Sequence, residues 1–428
     1  MTSSNSPATY RYPIGLFERY GIELEYMIVD RHTLEVKPMC DELIRTVCGA
    51  YESEIVPEHL PGGIAWSNEL ALHVIEFKTT EPAVSLDKLD QLFLKHIQHA
   101  NALLARSHAC LLPTAMHPWM NPYKELRLWP HEASPIYDAF NRIFDCRGHG
   151  WANLQSTHLN LPFANDQEFA DLHAAIRAVL PLIPALAASS PLADARITHM
   201  LDTRVEMYRR NAHRIPSVTG HVIPEPIYTR HEYEHGLLAG IYRDISPFDP
   251  QRILQYEWLN ARGCIARFDR GTIELRLIDI QECPAADLAI VKLITETIRS
   301  LTRGRWISPQ DTAMLRCGPL VDLLDQTTRD ADGAIVSNQD LLRALGMPEQ
   351  PVRALDVWQK LAHELIAPTD PAYDCLRMIF KEGTLARRIL RAAGPTPTRA
   401  VLHQIYQQLA DCLENNTLFH PFGRVEGN

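Results

Sequence analysis

Gly21-Ile22-Glu23-Leu24-Glu25-Tyr26-Met27-Ile28-Val29-Asp30 is an apolar run interrupted by two carboxylates two positions apart. On a β-strand that spacing points both acids to one face. A buried pair of acids repels itself and loses its hydration. It persists only if protonated, bonded to Arg or Lys, or neutralised by a metal. Two hard carboxylate oxygens on a stiff strand suit Mg²⁺ or Mn²⁺. The plainer alternative is an edge strand whose Glu23 or Glu25 faces solvent. What weighs against it is that the pattern recurs.

In Asn68–Thr79, Val74, Ile75 and Phe77 favour a strand with Glu76 among them and Glu69 at its entrance. An ion pair with Lys78 is the competing account of Glu76. In Trp151–Phe163, alternation predicts a strand on which Ser156, His158 and Asn160 share one face. Hydroxyl, imidazole and amide together fit the wall of a metal or nucleotide site, the alternative being a hydrogen-bonded core histidine. In Ile265–Asp279, a turn at Arg270-Gly271 feeds a strand carrying Thr272, Glu274 and Arg276 on one face. Again an acid is fixed in a strand, now with a guanidinium two residues on.

Helices separate these strands. Ser85 to about Ala109 repeats Leu86, Leu89, Phe93, Ile97, Ala100 and Leu104 at three- and four-residue steps, with His96 and His99 off that stripe and read as surface residues. Asn165 and Glu168 form a capping box for a helix running up to Pro181. Ala187-Ala188-Ser189-Ser190-Pro191 combines small residues with backbone N–H groups ahead of a further helix, a weak phosphate-binding pattern in Ser189 and Ser190. Met200–Asn211 reads as a helix bearing Arg204, Arg209 and Arg210. The Pro-stiffened loop Arg214–Pro226 after it suits a substrate-facing lid. Each of these arginines is either a clamp for a carboxylate or phosphate, or a surface ion pair. Pro284 opens another helix, and beyond Trp306 the chain is mainly helical. The arginines of Gly383–Ile389 are within reach of an anionic ligand in one reading and lie on a solvated face in the commoner one.

With 428 residues, 46% hydrophobic and 22% charged, the chain has the composition of a folded globular protein. Its net charge of -10 disfavours nucleic acid or an anionic membrane as the main partner. The nine cysteines are scattered with no C-x-x-C pair and read as reduced thiols of a cytoplasmic protein. No apolar run approaches the roughly 18 residues of a membrane span. We expect a disordered N-terminus over 1–9, one large catalytic domain over 10–305, and a helical C-terminal extension over 306–428 packed on the same domain.

Taken together, G-I-E-L-E-Y, V-I-E-F-K-T, Q-S-T-H-L-N, A-S-S-P and G-T-I-E-L-R-L-I-D, in this order from about Tyr20 to about Ile298, resemble the glutamate-cysteine ligase family, especially its bacterial carboxylate-amine ligase branch. The resemblance implies an α+β, glutamine-synthetase-like fold: a curved, mostly antiparallel sheet forming a funnel, covered by helices, with the active site on its floor. It implies ATP-dependent amide formation, typically γ-glutamyl, through an acyl phosphate, with Mg²⁺ (or Mn²⁺) bound to ATP. By similarity Glu23, Glu25, Glu69, Glu76, His158 and Glu274 are the metal ligands. Arg276 and Arg204 handle substrate carboxylate or phosphate, and Ser189, Ser190 and Asn160 face the nucleotide. The partners implied are a glutamate-like acid and an amine, with a homodimer left open. Two departures stand out. The closest branch often has two histidines alternating on one strand where this chain has Ser156 and His158, and the Arg214–Pro226 loop looks unlike that branch. Two other classes stay open: a non-catalytic binding or regulatory protein on the same fold, and a metal-dependent hydrolase or guanidino kinase. Within the ligase class, a glutamate-cysteine ligase in the strict sense is also open.

Overall fold

The computed structural model describes residues 12–421, so the disorder expected over 1–9 lies outside the described residues. Eight strands form one open sheet: β1 (Gly21–Asp30), β2 (Glu54–Ile55), β3 (Ile64–Asn68), β4 (Val74–Thr79), β5 (Ala109–Leu112), β6 (Ser156–Pro162), and the last two, Cys264–Arg267 and Thr272–Asp279. A separate hairpin, β7 (Leu192–Ala193) with β8 (Arg196–Ile197), precedes those two, which are therefore β9 and β10. The spatial order is β2-β3-β4-β1-β6-β10-β9, with β5 also paired to β1, and every pairing is antiparallel. The family-like fold expected from the sequence is the fold present: a glutamine-synthetase-like α+β architecture.

Strand pairing sorts the side chains into two layers. Glu25 lies opposite Glu76, Glu23 opposite Lys78 on one side and His158 on the other, and Glu274 opposite Asn160. One face of the sheet is therefore polar. The intervening residues, Ile22, Leu24, Tyr26, Ile75, Phe77, Leu159, Ile273 and Leu275, are fully buried and belong to the main core. Helices Leu89–Leu104, Asp166–Val179 and Pro284–Thr302 supply the same core with Phe93, Ile97, Phe169, Ile176, Ile290 and Ile294. Truncating a ring such as Phe77 or Phe93 to alanine here costs about 3–5 kcal/mol.

Two local devices tune this arrangement. Gly21 faces Asn160, and a Cβ on Gly21 would lie 2.9 Å from the Asn160 Cβ, so only glycine lets β6 come close enough there. In β10 the register shifts between Leu275 and Ile278: Leu275 pairs with Leu159, but Ile278 pairs with Thr157. This one-residue bulge reverses the alternation, so Asp279, opposite Ser156, points to the same face as Glu274 and Arg276 despite its odd spacing.

Past residue 306 come helices Cys317–Asp330, Gln339–Ala344, Ala354–Leu365, Pro371–Glu382, Leu385–Ala393 and Arg399–Asn415. The fourth buries only Leu376 and Ile379 of its twelve residues, too few for a visible stripe in the sequence. Leu320, Leu342, Trp358 and Leu413 join the main core, while Leu385, Leu402 and Tyr406 pack in a second cluster with Met27, Val29 and Leu112. Among the described residues no helix is long and apolar enough to cross a membrane, and all nine cysteines are free thiols.

Three sequence expectations are corrected. His96 is fully buried, accepting a hydrogen bond from the Trp66 indole N–H at 2.9 Å, since Trp66 extends the apolar layer past the stripe seen in the helix alone. Arg214–Pro226 is no lid. Ile215, Val218, Val222 and Ile223 are buried, and the loop is fastened by Arg262 to Glu225 and by Arg177 to the Pro224 carbonyl. Arg388 is also buried, paired with the buried Glu282 at 2.6 Å, so that stretch does not present a solvated basic face.

Candidate active site

The polar face of the sheet forms the floor of an open cavity of about 490 Å³. Strand β1 contributes Glu23 and Glu25, β4 contributes Glu76 and Lys78, β6 contributes Ser156 and His158, and β10 contributes Glu274 and Arg276. Glu69 reaches the same cavity from the turn between β3 and β4, and Arg204 from helix Thr203–Arg210.

Within this floor the carboxylates crowd together. Ligand atoms of Glu23, Glu76 and His158 lie within 4.8 Å of one another, and so do those of Glu25, Glu69 and Glu76. Glu76 is thus common to two triads. His158 binds Glu23 Oε2 through Nδ1 at 2.8 Å and meets the Ser156 hydroxyl through Nε2 at 2.9 Å. Glu25 Oε2 accepts from the Ser156 N–H and hydroxyl at 2.7 and 3.0 Å. Glu76 Oε2 accepts from Ser67 Oγ at 2.5 Å and faces Lys78 Nζ at 3.1 Å.

Glu274 is placed differently from the other acids. Arg276 Nε donates to its Oε1 at 2.6 Å and Arg267 Nη1 approaches its Oε2 at 3.4 Å, while His158 Nδ1 is 3.9 Å away. It borders the triads rather than completing one.

The electrostatics follow from this crowding. Burial and the Glu23 charge push Glu76 up to about 7, against the pull of Lys78. Burial, Glu25 and Glu76 drive Glu69 well above the usual carboxylate range. His158 resists burial and rises to about 9 because Glu23, Glu25 and Glu274 surround it. Glu23 is held down at about 2, against the desolvation of its half-buried position, by its bond to His158 and the charges of His158, Lys78 and Arg276. Protons on His158, Glu69 and Glu76 thus stand in for positive charge that the site is short of. Carboxylate oxygens plus one imidazole, converging in two overlapping triads, are a donor set that fits hard divalent cations.

The remaining candidates fall outside the triads. Asn160 donates to Glu23 Oε1 at 3.0 Å and otherwise borders a small neighbouring cavity with Tyr12, Gly21 and Gly271. Ser189 and Ser190 are fully buried away from the floor, where the Ser189 N–H and the Ser190 hydroxyl donate to Asp279 Oδ2 at 2.9 and 2.8 Å. Their polar groups are spent inside the protein. Arg204 lines the cavity but is anchored: its Nε donates to Asp279 Oδ1 at 2.5 Å and its Nη2 to the Arg276 carbonyl at 3.1 Å. Arg276, with Nε held by Glu274, also lines the cavity.

Sequence reasoning did not single out Asp279, which the bulge turns toward Arg204. Nor did it find Arg267, whose signal was its position opposite Thr272 on the same hairpin. It missed Tyr208 as well, one helical turn beyond Arg204 and on the cavity wall.

A glutamine-synthetase-like sheet with a carboxylate-rich floor flanked by arginines is the arrangement that the sequence resemblance implied. The sequence pattern of glutamate-cysteine ligase family 2 matches residues 19–320, and the chain belongs to that family. It is 30% identical over 400 residues to an uncharacterized protein of Archaeoglobus fulgidus, covering 93% of this chain and 99% of that protein. It is 25% identical over 380 residues to a putative glutamate–cysteine ligase 2 of a Bradyrhizobium species, covering 86% and 79% of the two chains. Among solved structures, the glutamate–cysteine ligase of Francisella tularensis in complex with AMP superposes with a TM-score of 0.56 at 12% identity, over 95% of this chain and 90% of that one. A bifunctional glutathione synthetase from Pasteurella multocida superposes at 0.52 and 12% identity, over 92% of this chain and 52% of that one. At such identities these two structures speak for the fold alone.

Proposed function

We infer that the chain joins a carboxylate to an amine at the expense of ATP, with a glutamate-like acid as the default and an amide, typically γ-glutamyl, as product. The observation that carries this reading is the convergence, on one floor, of two overlapping acid triads with Arg276 and Arg204. A carboxylate is not attacked by an amine at a useful rate near neutral pH. Its oxygen therefore first takes the γ-phosphoryl group of ATP, releasing ADP, and the amine then attacks the acyl carbon, expelling phosphate and losing a proton.

Glu23, Glu76 and His158, and Glu25, Glu69 and Glu76, are the residues to hold divalent cations, with Glu274 at their border. Mg²⁺ or Mn²⁺ bound there supplies charge neutralisation for the polyphosphate. The chain's own side chains position and screen. Arg276, held between Glu274 and the Tyr208 hydroxyl, sets a fixed positive charge against an anion over the floor, and Arg204, locked by Asp279, keeps a second one nearby. Asn160 and Ser156 orient Glu23, Glu25 and His158 by hydrogen bonds, so those ligand atoms need little rearrangement.

A coupled ADP-release assay across amino acids, alone and in pairs, with and without Mg²⁺, tests the reading. The expected result is turnover only when acid, amine and Mg²⁺ are all present. ATP turnover that needs no amine would replace the ligase with a hydrolase or kinase, and none with any pair would leave a binding protein.

A further inference from the structure

The cavity has a second wall whose chemistry is the opposite of the floor's. Ile136, Tyr137, Phe140, Trp151, Leu154 and Trp258 line it, and each is half-buried, so each leaves apolar surface facing the cavity. The rings brace one another: Phe140 lies 5.2 Å from Trp151 and 5.9 Å from Trp258, between centroids. The buried Phe144 stacks on Trp151 at 5.7 Å, and Tyr256 on Trp258 at 5.5 Å. Polar atoms on this wall are partly consumed inside the protein, since the Tyr137 hydroxyl takes a hydrogen bond from Asn68 and the Trp151 indole N–H donates to the Asn211 carbonyl. What faces the cavity is ring faces and aliphatic edges.

We propose that the amine substrate carries an aromatic or comparably large apolar group that docks on Phe140, Trp151 and Trp258. This rests on the ligase reading above. The anionic reactants, the acid and the phosphates, are answered on the floor by Arg204, Arg276 and the cation-binding acids. None of the six wall residues is charged, which leaves the wall to the reactant with no required anionic group. The side chain of cysteine, one methylene and a thiol, covers little of such a wall, whereas an aromatic ring buries roughly 150–250 Å². Preformed, mutually braced rings also cost the ligand little ordering of the protein.

The test uses the full chain with Mg²⁺, ATP and glutamate, comparing phenethylamine and L-phenylalanine with L-cysteine and glycine in the ADP-release assay. The aromatic amines are expected to show at least tenfold higher kcat/KM. Trp258→Ala and Phe140→Ala should raise KM for the aromatic amines at least tenfold while KM for ATP and glutamate stays within twofold, and Trp258→Phe, which keeps a ring, should restore most of the loss. Cysteine or glycine used as well as the aromatic amines overturns the proposal. So does a rise in the KM for ATP with every amine, which would give the wall to the purine ring. If no acid and amine pair turns over, the ligase reading fails by itself. The wall is then judged by tryptophan fluorescence: phenethylamine quenching that Phe140→Ala, which keeps Trp151 and Trp258 as reporters, weakens at least tenfold in ligand concentration upholds an aromatic-amine site, and no quenching, or quenching that Phe140→Ala leaves unchanged, overturns it.

Discussion

Asp279 and Glu76 lie on the same polar face of one sheet and both are buried, yet their surroundings differ in kind. Asp279 is met by a guanidinium, a backbone N–H and a hydroxyl, all between 2.5 and 2.9 Å. Its acidic neighbour Asp202 is pushed well above the usual range by burial and by Asp279. Glu76 sits among Glu23, Glu25 and Glu69, with Lys78 as its cation. The first cluster is matched and closes on itself. The second is short of positive charge, and that deficit is what a divalent cation would relieve. Buried charge alone therefore does not mark a functional site, whereas buried charge left unbalanced does.

The largest effect is expected where the matched cluster is broken. Asp279→Asn removes the carboxylate bonded to the buried Arg204 and should cost about 3–5 kcal/mol in denaturant unfolding. Replacing both partners by apolar residues, Asp279→Leu with Arg204→Met, should recover much of that loss. A double variant as unstable as the single one would show that the cluster does more than balance its own charge.

Next comes the unmatched cluster. Glu76→Gln removes the carboxylate shared by both triads and should lower turnover roughly 10²–10³-fold, while the melting temperature holds or rises as repulsion is relieved. Glu23→Gln should behave like Glu76→Gln in activity. Glu274→Gln should lose stability too, because it strips Arg276 of its counter-ion and takes from Arg267 one of three acids, leaving it Asp269 and Glu257. Wild-type turnover in Glu76→Gln would remove the shared-ligand account.

A smaller effect separates the two arginines. Arg276→Lys keeps the charge but loses the planar fork, and turnover should fall on the order of 10²-fold with little change in folding. If instead activity is kept and only Arg276→Ala is unstable, Arg276 is a structural counter-ion of Glu274.

The smallest and most discriminating effect is one of pH. Glu76 titrates near 7 in the fold and near 4.5 when unfolded, so the stability it contributes is present below 4.5 and is lost as pH rises through 7. His117 and His173, held neutral to about 3 by burial, act in the opposite sense: their stability is present above 6.5 and lost as pH falls from there toward 3. Because both proteins share those histidines, the difference in unfolding free energy between wild type and Glu76→Gln isolates the carboxylate. It should move against the wild type by roughly 1–3 kcal/mol between pH 5 and 7. A flat difference would mean that Glu76 is as well matched as Asp279.

Much of the floor was legible in the sequence because strand alternation is a strict rule: Glu23 with Glu25, and His158 with Ser156, needed only a period of two. The paired acids of β1 and β4 then met across the ladder as their registers dictate. Asp279 was hidden by the same rule, since an odd offset from Glu274 predicts opposite faces unless a bulge intervenes, and nothing local announces one. Ser189 and Ser190 were drawn to a phosphate by their small neighbours, although their partner was an acid ninety residues away that only the folded sheet delivers. The aromatic wall was invisible for a related reason. Its rings come from helix Ser134–Phe144 and from the short helical turns His149–Ala152 and Glu257–Leu259, too far apart in sequence for any periodicity to join them.

The bulge in β10 has a consequence for how the chain finds its native alignment. Strands can slip, and a slip of one residue sends every side chain to the opposite face. Upstream of the bulge, such a slip would drive Glu274 into the apolar layer. Downstream it would do the same to Asp279 and tear it from Arg204, Ser189 and Ser190. One misalignment would thus expel charge into oil at two separate places, and moving the extra residue along the strand to rescue one place would sacrifice the other. β10 works as a notched key with two wards: the sheet closes only when both fit, so the machinery of the floor and the fastening of the fold are proofread in a single event.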